Sequence, residues 1–325
     1  MARRHWLFAL IAVLTAAIIL TGCTAPTAPK QNAKKKIGFS VYDMQYGFFQ
    51  DMEKGTREAA EKAGYDYVLV DQKSSEATMV SATQDLINQG IDALIISPVK
   101  PDAMGPLVDA AKKKGIPVVV DDIGGGGTAY DVIVISNNAA GGVMGAEHLD
   151  KLIKQTGNTS KKVASITCDP SAVYAWQRNV NFEKKIKELG YEVVASLNGN
   201  SKQEEGYRLM KDVMSAHPDV AGVFSCNDPM AVGAAQAIAD SGKSGVKDIP
   251  VVGFNADEIA LKAIKEGSMA ATVQQIPYDM GKMTVDLATK LMNKEKLKYD
   301  NEAEREIYVP VKLITPENVD TLLNK

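Results

Sequence analysis

From Lys36 onward, short runs rich in Val and Ile alternate with longer runs whose apolar residues recur at helical spacing. The strand-like runs are IGFSVY (37–42), YVLV (67–70), ALIISP (93–98), PVVVDD (117–122) and VIVIS (132–136). A second series follows: KVASIT (162–167), EVVASL (192–197), AGVFSC (221–226), PVVGF (250–254) and AATVQQ (270–275). Runs that are apolar throughout, without alternation, suit strands covered on both faces. Helical spacing predicts helices over 49–63, 77–89, 102–114, 172–189 and 277–293. In the last of these, Met280, Met283, Leu287 and Leu291 form one stripe, read as core and not as a metal or cofactor box. Alternation of this kind predicts the α/β class, with parallel sheets covered by helices on both faces. Two series of strands predict two such sheets, with the break between Ser136 and Gly142 and a return crossing near Gln275.

Punctuation agrees with this division. Gly64, Gly90, Gly115 and Gly190 follow helical runs, where a left-handed cap is wanted. Asp228-Pro229 predicts an N-cap followed by a first-turn proline. Gly141, Gly142 and Gly145 predict a helix that packs closely on a neighbour.

Open parallel sheets bind ligands beyond the carboxyl ends of their strands. That rule selects Tyr42 to Phe49, Asp121 to Gly127, Ser136 to Asn138, Cys168 to Trp176, Asn227-Asp228, Phe254-Asn255 and Gln274-Gln275. These stretches hold aromatics, amides and carboxylates, no lysine, and one nearby arginine, Arg178. Amides and carboxylates hydrogen-bond hydroxyls and flat rings cover C–H faces, so a small neutral polyhydroxylated ligand is expected. Gly124 to Gly127 lack the lysine and hydroxyl of a phosphate loop and the spacing of a dinucleotide turn, and read as a flexible cleft-rim loop. A formal net charge of −3 gives no electrostatic footprint for nucleic acid. No metal-ligand spacing is present, no cofactor is implied, and His148 and His217 have no partnered nucleophile, which argues against an enzyme.

The first residues have a separate logic. Arg3, Arg4 and His5 precede an apolar run from Trp6 to Leu20, too short for a spanning helix, which needs about 20 residues. Leu20-Thr21-Gly22-Cys23 then resembles a bacterial lipoprotein signal, with 1–22 removed and Cys23 lipidated. Removal takes Arg3 and Arg4 with it, so 37 basic residues become 35 against 40 acidic ones, a net charge of −5. Residues 24–36 (TAPTAPKQNAKKK), almost without apolar content, complete a lipidated tether over 23–36. Cys168 and Cys226 end apolar runs and are expected to be small buried free thiols.

In order along the chain, FFQDMEKG (48–55), QDLINQGIDALIISP (84–98), GIPVVVDD (115–122), SNNAAGG (136–142), AHPDVAGVFSCNDPMAVGA (216–234) and VVGFN (251–255) resemble the periplasmic sugar-binding proteins of the ribose/galactose type. These are the substrate-binding components of ABC importers. The resemblance runs from about Lys36 to Ile314 and implies two Rossmann-like lobes joined by three hinge crossings, closing on a ligand between them. It implies an N-terminal lobe of 37–136 plus 276–307 and a C-terminal lobe of 137–275 plus 308–325. It also implies that Phe48 and Phe49 stack on the sugar, that Asp122, Asn227 and Gln275 bind hydroxyls, and that Asn138 supports the hinge side.

The chain departs from the ribose pattern at several points. Ile123 and Trp176 stand where arginines are usual, Asn255 where an aspartate is usual and Tyr46 where an asparagine is usual. The aromatic usual before the seventh helix falls here near Ser201. Tyr46, Asp121, Trp176 and Asn255 complete the expected ligand set. Replacement of two cationic donors and one carboxylate puts ribose itself in doubt and extends the lack of basic charge into the cleft. A different pentose or hexose, a sugar alcohol or a less polar hydroxylated ligand fits the residues as they stand. The expected protein is a monomeric, membrane-anchored binder, outside the cytoplasm, that hands its ligand to an ABC permease. The alternatives are a receptor feeding a sensor kinase or chemoreceptor, and a binder of a non-sugar ligand such as a nucleoside or furanone signal.

Overall fold

The computed structural model describes residues 34–170 and 172–323. The expected leader over 1–22, the expected lipidation at Cys23 and most of the expected tether lie outside the described residues, and among those described no helix is long and apolar enough to cross a membrane.

The first lobe begins β1 (Lys36–Val41), α1 (Gly47–Lys62), β2 (Asp66–Asp71), α2 (Glu76–Asn88), β3 (Ala93–Ile96), α3 (Gly105–Lys113), β4 (Val118–Asp121) and β5 (Val132–Ser136). The second continues α4 (Asn138–Thr156), β6 (Lys162–Thr167), α5 (Val173–Glu188), β7 (Glu192–Asn198), α6 (Gln203–Ala216), β8 (Gly222–Ser225), α7 (Asp228–Asp240), β9 (Val251–Asn255), α8 (Glu258–Glu266) and β10 (Ala271–Gln274). The chain then supplies α9 (Pro277–Met292), β11 (Glu306–Val309), β12 (Lys312–Ile314) and α10 (Asp320–Leu323).

The strands form two six-stranded sheets, ordered β11-β5-β4-β3-β1-β2 and β12-β10-β9-β8-β6-β7. All pairings are parallel except that of β12 with β10, which is antiparallel. Central strands such as ALII (93–96) and VVVD (118–121) are buried along their whole length, which is why they read as continuous apolar runs. Successive residues of β4 serve opposite faces. Val119 packs with Phe39, Met52 and Met280 under α1 and α9, and Val118 and Val120 pack with Met79, Leu86 and Leu107 under α2 and α3.

The return of the chain through α9 places Met280 and Leu287 in the first lobe's core. β11 then adds to the edge of the first sheet, pairing Val309 with Ser136, and β12 pairs Ile314 with Thr272 in the second sheet. The third crossing therefore falls at Pro310 and Val311, two residues beyond the 307/308 division.

Close approach between α4 and α5 depends on Gly142. A Cβ there would sit 2.2 Å from the Arg178 carbonyl oxygen, so only glycine permits this spacing. Gly141 and Gly145 likewise face the rings of Phe254 and Phe224.

Candidate functional site

The cleft between the lobes forms where strand ends from both sheets face one another. One part, about 680 Å³, is lined from the first lobe by Tyr42, Tyr46, Phe48, Phe49, Asp122 and Ile123. The second lobe and the crossing supply Cys168, Ala172, Ala175, Arg178, Ser201, Cys226, Asn227, Asn255, Asp257 and Gln275. It continues into a second part of about 1010 Å³ along the Gly124–Gly127 loop, Tyr130, Asn138, Tyr174 and Arg305.

The aromatic wall starts where β1 ends. Phe49 is buried in the lobe core and stacks on Tyr42 at 5.0 Å, while Phe48 meets Phe49 edge-on at 5.2 Å. Core burial fixes one ring and so orients the other, leaving Phe48 and the exposed Tyr46 at the rim. Asp122 follows β4 in a left-handed conformation (φ 69°), which aspartate tolerates better than most residues. That turn carries its carboxyl into the cleft, while Asp121 keeps the parity of Val119 and faces the core.

Burial pushes the Asp122 carboxyl up to about 6, with the Arg178 guanidinium pulling the other way. Asp121 does not line the cleft, contrary to expectation. It is fully buried, neither carboxyl oxygen has a hydrogen-bond partner, and burial followed by the Asp122 charge raises it well above the carboxylate range.

Arg178 corrects the expectation of a cleft without a cation. It is 7% exposed and lines both parts of the cleft. Its Nε donates to Asn138 Oδ1 at 2.7 Å. Its Nη1 donates to the Cys226 carbonyl at 3.0 Å and to Asn255 Oδ1 at 3.1 Å, and the guanidinium lies 4.0 Å over the Phe254 ring. Asn138 is held in turn through Nδ2 to the Ser136 carbonyl at 3.0 Å, at the first crossing. Asn255, itself at φ 124°, also accepts from Gln275 Nε2 at 2.8 Å. Gln275 is left with a buried Oε1 that has no protein partner, an acceptor beside the cleft. One guanidinium thus ties together the amides of two crossings and the ends of β8 and β9.

Trp176 is also corrected. It packs against the second lobe's core with Cys168, Leu209 and Met230 and is not among the cleft-lining residues. Helical rotation is the reason: at about 100° per residue, Tyr174 and Ala175 share the face of Arg178, and Trp176 turns about 200° from it. Tyr174, within the stretch expected at the cleft, crosses to the first lobe's core cluster and to the Glu306 carboxylate, and Gly124 makes room for its ring.

The cap of α7 differs by one residue from the expected one. Asn227 is the N-cap, its Oδ1 accepting from the Met230 amide at 3.3 Å. Use of the oxygen as a cap leaves the amide NH2 as the donor a ligand could meet. Asp228 is buried and bonds the Asp257 amide at 2.7 Å and Thr272 Oγ1 at 2.6 Å, and burial raises it to about 7. Among the described residues no group of three or more His, Cys, Asp or Glu side chains could hold a metal ion.

Two α/β lobes with ligand-sized space between opposed strand ends define a bilobal binding protein. A family model described as a periplasmic binding protein domain matches residues 37–296, and the chain belongs to that family. The ribose import binding protein RbsB of Bacillus subtilis is 33% identical over 305 residues, covering 91% of this chain and 95% of its own. A xylitol-binding protein of Mycolicibacterium smegmatis is 29% identical, covering 94% of this chain and 84% of its own. The crystal structure of a periplasmic ribose ABC transporter protein from Conexibacter woesei superposes with a TM-score of 0.80 at 25% identity, covering 90% of this chain and 96% of that one.

Proposed function

We propose that this protein captures a sugar or sugar alcohol between its lobes and delivers it to an ABC import permease, performing no chemistry itself. The observation that carries the reading is the pairing, across one cleft, of the Phe48/Phe49 wall and Asp122 from one lobe with Arg178, Asn227 and Gln275 from the other. A carboxylate accepts from hydroxyls, the amides donate and accept, and the rings cover the C–H face. Only the closed arrangement lets both lobes touch the ligand, so binding favours closure. Membership of the family places the protein outside the cytoplasm. Phe48, Phe49, Asp122, Asn138, Asn227, Asn255 and Gln275, with Tyr46 at the rim, form the proposed ligand set, and Arg178 joins them.

Export through residues 1–22, lipidation of Cys23 and a monomeric state belong to the same reading, supported by the leader sequence and tether composition. A thermal-shift screen of D-ribose, D-allose, xylitol, D-arabinose and myo-inositol tests the ligand class. A ligand present at 100 times its Kd stabilises by about 2.7 kcal/mol. Stabilisation by one or more of these compounds is expected. A screen of sugars and polyols in which none shifts the melting temperature would overturn the proposal.

A further inference from the structure

Two thiols share the wall of the cleft. Ile166 of β6 pairs with Ser225 of β8, and the Cys226 amide donates to the Ile166 carbonyl at 3.0 Å. Cys168 and Cys226 therefore each directly follow the end of one of two neighbouring strands, one register step apart. A strand spacing of about 4.8 Å and a rise of about 3.3 Å put their Cα atoms about 6 Å apart, within the span of a disulfide. Both are free, both are buried, and both line the cavity beside Arg178 and Asn227.

The two thiols share a side-chain hydrogen bond. That bond, and secondarily the Arg178 guanidinium, hold Cys168 below the usual thiol range, whereas burial pushes Cys226 well up. The pair is asymmetric, with one sulfur suited to attack and the other to follow.

We propose that Cys168 and Cys226 form a redox-active dithiol in the cleft wall, whose substrate is a small disulfide entering by the ligand's own route. The Cys168 thiolate attacks one sulfur of the reagent, breaking its S–S bond and releasing one thiolate, which takes up a proton. The Cys226 sulfur loses its proton and attacks Cys168 in the resulting mixed disulfide, expelling the second thiolate, which is protonated. Two protein thiols are oxidised to one disulfide and one reagent disulfide is reduced to two thiols. An extracytoplasmic setting is one in which such disulfides persist. The Cys226 carbonyl accepts from Arg178 and its neighbour is Asn227, so closing the bond acts on residues of the ligand cleft.

The test uses the full chain carrying Cys23→Ala, so that these are the only two thiols, treated natively with 2-hydroxyethyl disulfide and followed by intact mass. The expected product is lighter by two hydrogens, carries no adduct and reverts with dithiothreitol. Cys226→Ser should trap a mixed disulfide on Cys168, and Cys168→Ser should form its adduct at least about tenfold more slowly. Retention of both free thiols, or accumulation of two adducts without an internal bond, would overturn the proposal. The mass of the C23A chain decides even if the serine variants fail to fold. The result does not depend on which ligand the cleft takes, so failure of the sugar screen leaves it standing.

Discussion

Replacing Arg178 by methionine keeps an unbranched apolar stem but removes a buried cation and its contact over the Phe254 ring. Three hydrogen bonds are lost, to Asn138 Oδ1, the Cys226 carbonyl and Asn255 Oδ1. Bonds to charged groups contribute about 1.5–3 kcal/mol each. Their sum overstates the loss, because methionine is also relieved of burying a charge. Asn255 Oδ1 keeps its donor in Gln275, so the orphaned acceptors are Asn138 Oδ1 and one carbonyl. A net destabilisation of about 3 kcal/mol follows, from about 1–3 kcal/mol for each buried group left unpaired.

Urea unfolding followed by far-UV circular dichroism should show this as a lower midpoint at unchanged slope. In thermal unfolding it corresponds to a fall of about 6–12 °C for a unit of about 150–250 residues. Arg178→Lys should fall between the two proteins, since an ammonium cannot span Asn138 and Asn255 in one plane. A loss below about 0.5 kcal/mol for Arg178→Met would refute the view that this guanidinium organises the cleft.

Asp122, raised to about 6, should tie ligand affinity to pH. A hydroxyl donates best to the ionised form, so titration calorimetry with the ligand from the screen should show affinity rising from pH 5 to pH 7, and Asp122→Asn should be weak and flat. The sign for the unliganded protein is opposite: a folded value above the unfolded one gives stability that is present below pH 4 and lost as pH rises through about 6. Gly142→Ala should destabilise by about 1–3 kcal/mol in urea, because its Cβ meets the Arg178 carbonyl oxygen. Trp176→Phe should cost about 1 kcal/mol of stability by losing core packing yet leave ligand affinity within about twofold, since the indole lies behind the cleft wall. A tenfold affinity loss in that variant would return Trp176 to the ligand surface.

Much of the fold was legible because parallel, doubly covered strands carry their identity locally. VVVD and VIVIS are apolar whatever the rest of the chain does, and the helices between them end at glycines such as Gly64 (φ 78°) and Gly190 (φ 87°). The cleft positions of Asp122, Asn227 and Gln275 were legible for a related reason: they stand one or two residues past the ends of β4, β8 and β10, and in such sheets those positions are already at the cleft. β12 was not legible, being three residues long with only Ile314 buried, and its place depends on β10 being there to pair with it.

Which side of a helix or strand end meets the cleft is a different kind of information. Asp121 and Asp122 are chemically alike and adjacent, and a single left-handed backbone conformation separates a core carboxyl from a cleft carboxyl. Trp176 and Arg178 sit on one helix, and their roles depend on its rotation against α4, which Gly142 sets by contact. The sequence by itself determined the two α/β lobes and the strand ends that meet between them, because hydrophobic periodicity is local. Only the tertiary structure decided that the cleft holds a buried guanidinium and two adjoining thiols, because partners 40 to 77 residues away define that environment.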